Sequence, residues 1–202
     1  MAKIGITINE VLRDFIGQFT YTYKKYIGET HIKEEDVKHF DLLEYFEFKD
    51  INELNKFLYV EAALEIFGHA DQLHDGIMNH FNHFLMDIKD LTDHKVEIVS
   101  MEADKSKPST LFFLSKLGCK IENIRFVTKH ADKWNNVDVL ITANPTALES
   151  KPAGKISVKV KSSYNQDVKA DFEIDSLMDF MKDEALREKI LNTKITTYEE
   201  IN

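Results

Sequence analysis

The sequence holds a single cysteine, Cys119. That excludes an intrachain disulfide framework and fits a reducing compartment. Proline (3 residues) and glycine (7 residues) are scarce, and no low-complexity tract occurs, which argues against long flexible linkers. No apolar run approaches the ~20 residues that span a bilayer, so no membrane association is expected. The N-terminus shows no basic stretch followed by an apolar run of the secretory type. Positive charge is also in deficit, with 26 Lys and Arg against 35 Asp and Glu and a net charge of -9. That balance speaks against direct, sequence-independent binding to a phosphate backbone. A cytoplasmic protein follows as the expectation. Its 202 residues, 43% of them hydrophobic, suit one domain or a core with a modest insertion.

What is present is organised around Lys3–Phe15, K-I-G-I-T-I-N-E-V-L-R-D-F. Ile4, Ile6 and Ile8 alternate with Gly5, Thr7 and Asn9, which predicts a short strand; Val11, Leu12 and Phe15 then begin a helical spacing. In an open α/β sheet ligands bind at the carboxyl ends of the strands. Thr7 and Asn9, two apart, leave one face at that end. Neither is a carboxylate.

From Gly17 to about Asp90 the pattern is helical. Phe15, Phe19, Tyr23 and Tyr26 form an aromatic stripe that reads as core. Asp50 and Glu53 mark a helix start of capping-box type. The 3.6-residue period of Leu54, Phe57, Leu58, Ala62, Leu64 and Phe67 predicts one helix over 51–67. A second is predicted over 70–88. His69, His74, His80 and His83 in this block stand at intervals of five, six and three. Those intervals spread them around a helix, so they read as surface or partly packed residues rather than metal ligands. Beyond it, Val96–Val99 predicts a buried strand ending at Ser100, Ser106–Leu117 a helix closed by Gly118, and Ile124–Val127 and Val137–Ile141 further strands. Ser176–Ile190 predicts the closing helix.

Several stretches together resemble the haloacid dehalogenase (HAD-like) superfamily, and most closely its 5'(3')-deoxyribonucleotidase-like members. In that family the first strand ends in Asp-x-Asp-Gly-Val/Thr-Leu; the first Asp attacks phosphorus and the second is general acid/base, around magnesium. Thr7 stands at the first position, Asn9 at the second and Glu10 at the glycine. Ser100 matches the strand-end Ser/Thr that contacts phosphate. In A-D-K-W-N-N-V-D-V-L-I-T-A-N-P, Lys133 matches the charge-neutralising lysine, while Thr142 and Ala143 replace the acidic pair that holds the metal. Leu148–Val160 resembles the turn and edge strand that follow, and Ser163–Asn165 and Asp171–Phe172 the later loop before a final strand. The resemblance implies an α/β, Rossmann-like HAD core with a parallel sheet flanked by helices (residues 1–16 and 90–202) and a small helical cap inserted after the first strand (residues 17–89).

Three functional classes follow. The first is a catalytically inactive pseudoenzyme, a structural or protein-interaction module. Small nucleotidase-like proteins of this type are familiar in bacteriophage genomes, so the resemblance implies, as one form of this class, a virion or assembly component in the virion or the host cytoplasm. The second is a metal-independent nucleotide- or phosphate-binding protein using Thr7, Asn9, Ser100 and Lys133, with Thr142 beside them. The third is a divergent phosphatase with Glu10, Asp14, Glu102 or Asp104 as replacement acid. A carboxylate nucleophile forms an acyl-phosphate, which neither Thr nor Asn can do, and hard magnesium needs charged oxygen ligands. Catalytic residues, metal and cofactor are therefore all expected to be none. A protein partner or homo-oligomer is expected, with His39–Phe48 and the helix from Ile51 as the surface to inspect.

Overall fold

The computed structural model describes residues 1–193; the last nine residues of the expected core segment, 194–202, lie outside the described residues. Six strands form one parallel sheet: β1 (Lys3–Ile6), β2 (Lys95–Met101), β3 (Ile124–Val127), β4 (Val139–Thr142), β5 (Ile156–Val160) and β6 (Phe172–Ile174), in the spatial order β3-β2-β1-β4-β5-β6. The chain winds outward from β1 in one direction and from β4 in the other. The pair β1/β4 is therefore the point where strand order reverses, and a crevice opens beyond their carboxyl ends. Strands covered on both faces are apolar almost throughout. Ile4, Ile6 and Ile8 are fully buried, as are Ile98, Val99, Leu140, Ile141 and Val158.

The register fixes the site. Ile4 pairs with Val139, Gly5 with Leu140 and Ile6 with Ile141. The Thr7 amide continues the ladder by donating to the Ile141 carbonyl at 3.0 Å. Thr7 and Thr142 consequently come side by side.

Between β1 and β2 run α1 (Phe15–Tyr26), α2 (Ile51–Lys56) and α3 (Ile77–Leu91). Asp14 caps α1 by accepting from the Gly17 amide at 2.8 Å. The aromatic stripe is core at Phe15, Phe19 and Tyr23 but not at Tyr26, which is 53% exposed. Phe19 sits edge-on to Phe46 at 4.8 Å and to Phe57 at 6.1 Å, and Tyr23 packs on Phe46 at 5.1 Å. Phe46 and Phe48 of the 39–48 segment are thus turned inward onto α1, while Phe40 packs on His130 and Tyr164.

The helix expected over 51–67 is regular only to Lys56. Two wide π-type turns follow, Phe57–Glu61 and Leu64–Gly68, closed by Ala62 N–H to Phe57 O and His69 N–H to Leu64 O. The carbonyls released from the ordinary ladder are taken up elsewhere: Tyr59 O accepts from the Lys105 amide, Glu65 O from Gln18 and Phe67 O from Arg13. External donors therefore compensate the widened turns. The helix expected from Ala70 begins only at Ile77, because residues 71–73 run against the loop after β1. There Asp71 O accepts from the Asp14 amide, and the Leu73 amide donates to Leu12 O. Gly76, at φ +75°, makes the turn into α3.

After β2 come α4 (Ser106–Lys116), α5 (Pro145–Glu149), α6 (Leu177–Lys182) and α7 (Glu184–Leu191). The single closing helix expected from Ser176 is two, split at Asp183, whose extended backbone ends α6 while its side chain caps α7 at the Leu186 amide. β5 is an interior strand rather than the edge, because β6 pairs beyond it.

A Cβ added at Gly5 would lie 2.9 Å from Val137 Cγ1 and 3.1 Å from Leu140 Cδ1, both in stiff, buried surroundings. Gly5→Ala should cost about 1–3 kcal/mol through overpacking. Urea denaturation checks this, and an unchanged midpoint would refute the close fit.

Candidate functional site

Thr7 Oγ1 donates to Thr142 Oγ1 at 2.9 Å, and Thr142 Oγ1 also accepts from the Asn144 amide at 3.1 Å. Both hydroxyls are thereby engaged with the sheet end itself. Asn9 is held differently. Its Oδ1 accepts from Arg13 Nε at 2.9 Å and from Arg13 Nη2.

Arg13 is fully buried. Nη1 donates to Phe67 O at 2.9 Å and to Thr110 Oγ1 at 2.8 Å, and Nη2 to Glu102 Oε1 at 3.1 Å. The guanidinium also lies 4.9 Å from the centre of the Phe67 ring and 5.4 Å from that of Phe113. Glu102 Oε1 additionally accepts from Ser100 Oγ and Thr110 Oγ1, both at 2.9 Å. Burial lowers the Arg13 pKa, and the Glu102 carboxylate opposes that. This fork of donors joins the β1 turn to β2, α4 and the second wide turn.

Lys133 lies on the short turn Ala131–Trp134 after β3. The turn is clamped from two sides. Trp134 Nε1 donates to Ala147 O at 2.7 Å, and Arg125, paired with Glu97 at 2.7 Å, donates to the Asp132 and Asn135 carbonyls. Lys133 is 5% exposed. Its ammonium has no hydrogen bond or ion pair among the described residues. Burial pushes it down to about 8, with the Glu102 charge pulling the other way, so it remains predominantly cationic at neutral pH. Burial and the Lys133 charge hold His130 down at about 4, and its buried Nδ1 has no partner among the described residues.

A cavity of about 170 Å³ lies over these residues. Thr7, Asn9, Ser100 and Lys133, the four ligand-binding candidates, all line it. Thr142 and Ala143 do not: Thr142 is covered by its bond to Thr7, and Ala143, fully buried, gives its carbonyl to Asn165 Nδ2. His130 and Asn144 also line it, and neither is singled out by sequence. The rest of the lining is mostly apolar, with Phe15, Phe40, Leu54, Leu58 and Phe67, and also includes Asp41, Asn55, Tyr59 and Tyr164. The cap histidines stand apart, since His69, His74, His80 and His83 are all exposed.

None of the four replacement acids lines the cavity. Glu10, at φ +54°, leaves the strand direction, and its Oε1 accepts from the Phe15 and Ile16 amides, both at 2.9 Å. Asp14 caps α1, Glu102 faces Arg13, and Asp104 is exposed. Among the described residues, Glu10, Asp14 and Glu34 are the acids that could converge on an ion. They do so at the start of α1, not at the β1/β4 crevice. The magnesium position that the sequence resemblance implies would be built from Thr7, Asn9, Thr142 and Ala143. This set offers no charged oxygen, and the Asn9 carbonyl oxygen already faces a cation. The residues present do not fit that ion.

Removing one member of a buried ion pair leaves the other uncompensated. Arg13→Met should therefore cost about 3–5 kcal/mol, and Arg13→Met with Glu102→Leu should recover most of that loss. A double-mutant cycle in denaturant reads both, and additive losses would refute the coupling.

Burial, reinforced by Glu34 and Asp14, pushes the Glu10 carboxyl up from 4.5 to about 8. Between those values the folded chain holds a proton that the unfolded chain releases, so stability falls as pH rises. His130 acts oppositely between about 4 and 6.5, where the unfolded state binds the extra proton. The Glu10 effect is therefore cleanest from pH 6.5 to 8. Glu10→Gln keeps an acceptor for both amides and should flatten the decline in unfolding midpoint over that window; an unaltered slope would refute it.

No family model and no curated protein sequence matches the chain. Nineteen chains among the solved structures match. One is L-2-haloacid dehalogenase from Xanthobacter autotrophicus with chloropropionic acid covalently bound, at a TM-score of 0.54 and 12% identity, over 90% of this chain and 97% of that one. The likeness is one of architecture: the chain shares the α/β, parallel-sheet fold of that dehalogenase.

Proposed function

We propose that this chain is a catalytically silent protein of the HAD-like fold, a binding module rather than a phosphatase. The observation that carries the reading is the lock on the β1 turn. Asn9 is committed to Arg13, Arg13 to Glu102, and Thr7 to Thr142. Thr7 has no general base within hydrogen-bond reach among the described residues, and an alcohol without one is a weak nucleophile. Loss of a catalytic nucleophile costs on the order of 10⁶ in rate. The unpaired Lys133 ammonium in a walled cavity favours an anion as the bound species, held without a metal. In a virion or another assembly, such a module would serve as a structural or protein-interaction unit.

Incubation with magnesium and a panel of deoxynucleoside monophosphates should release no phosphate above the buffer rate. Chelator-sensitive turnover by the native chain would overturn the reading. Thr7→Asp/Asn9→Asp/Thr142→Asp restores three carboxylates, but the one at position 9 would pair with Arg13. Gain of activity is therefore expected to be small.

A further inference from the structure

The cavity beneath the helical layer is lined by one buried cation without a partner among the described residues, Lys133, and by the exposed Asp41 carboxylate. A small set of free donors and apolar side chains complete the lining. From these we infer its ligand class: a small monocarboxylate with an apolar body about the size of one aromatic ring. The inference rests on the anion-binding reading above and narrows it.

Charge sets the head group. Of the two buried cations at this end of the sheet, Arg13 is matched by Glu102 and Lys133 is matched by nothing among the described residues. A carboxylate brings one negative charge and cancels it. A phosphate monoester brings about -1.5 to -2 at neutral pH, which would leave excess negative charge in a cavity whose lining already includes the Asp41 carboxylate.

Hydrogen bonding agrees. Asn9 and Asn144 both line the cavity. Each has its Oδ1 occupied from the protein side, Asn9 by Arg13 and Asn144 by the Ala147 amide at 2.8 Å. Those contacts assign the amide orientation, leaving each NH₂ group with no acceptor among the described residues. Lys133 and two amide NH₂ groups offer donors for the four lone-pair sites of a carboxylate.

Size sets the body. The volume of about 170 Å³ is close to the ~150 Å³ apolar cavity that accommodates benzene and below the ~300–1,000 Å³ of sites for larger ligands. Phe15, Leu54, Leu58 and Phe67 face that space. They favour a ring or a short alkyl chain as the part of the ligand that packs against them.

Isothermal titration calorimetry in EDTA, with benzoate, hexanoate, acetate, phenyl phosphate and deoxythymidine monophosphate, tests the inference. Benzoate and hexanoate should bind about tenfold or more tightly than acetate, which lacks the body, and than either phosphate. Lys133→Met should reduce benzoate affinity by about tenfold or more. Asn144→Asp retains the acceptor that caps α5 and replaces the free NH₂ with negative charge, so it should weaken benzoate comparably even if Lys133→Met fails to fold. Phosphates binding while carboxylates do not would overturn the ligand class and leave the anion-binding reading intact. Binding of none of the five would overturn both. Benzoate binding unchanged in a folded Lys133→Met and in Asn144→Asp would place it elsewhere and sink the inference.

Discussion

The buried ion pair of Arg13 and Glu102 is the contact on which the carboxyl end of the sheet depends. Taking a guanidinium and a carboxylate out of water is costly, and attraction offsets that cost only when the remaining donors and acceptors are satisfied. Here the surroundings are built to satisfy them. Asn9, Thr110, Ser100 and the Phe67 carbonyl complete the set, while the Phe67 and Phe113 rings cover the guanidinium. One oxygen, Glu102 Oε2, has no partner among the described residues, and the attraction between Glu102 and Lys133 runs in its favour. The β1 turn, the wide turn that ends at Gly68 and the start of α4 cannot shift independently without exposing one of these charges.

This arrangement also separates two kinds of cation. Arg13 is enclosed by planar, matched acceptors and is structural. Lys133, a point charge on a flexible stem, is brought to the crevice by a turn braced from both sides, yet no acceptor meets its ammonium. A charge that is only cementing a fold is normally paired where it is buried. The contrast between the two cations, more than the presence of either, distinguishes scaffold from site.

Much of the fold was legible in the sequence because a parallel sheet writes itself as short apolar runs ending in polar residues. Ile4–Ile8, Val96–Val99 and Ile124–Val127 are of that kind, with Thr7 and Ser100 at strand ends, while it is the family resemblance that places Lys133 beside them. What the sequence hid was compensation by distant partners. The helical period through 51–67 continues smoothly, but the wide turns depend on donors from Arg13, Gln18 and Lys105, which no local pattern announces. Arg13 has no local pattern that marks it as buried, and Glu102 reads as a candidate acid. Only the chain's return at α4 makes each the partner of the other. Asp183 hid in the same way, as one more polar residue in a helical run.

The sheet order has a consequence for how the chain reaches this state. β1 lies at the centre, yet it comes first among the strands, and its two neighbours are far downstream. Lys3 pairs with Lys95 on one side, and Thr7 bonds to Thr142, 135 residues later, on the other. Such non-local pairing is slow, because loop-closure entropy is lost before any contact compensates it. During synthesis Ile4, Ile6 and Ile8 must therefore wait, apolar, for β2 on one side and much longer for β4 on the other. An unpaired strand of this kind is prone to self-association. The segment at the centre of the finished sheet is, before that, the one most in need of shelter.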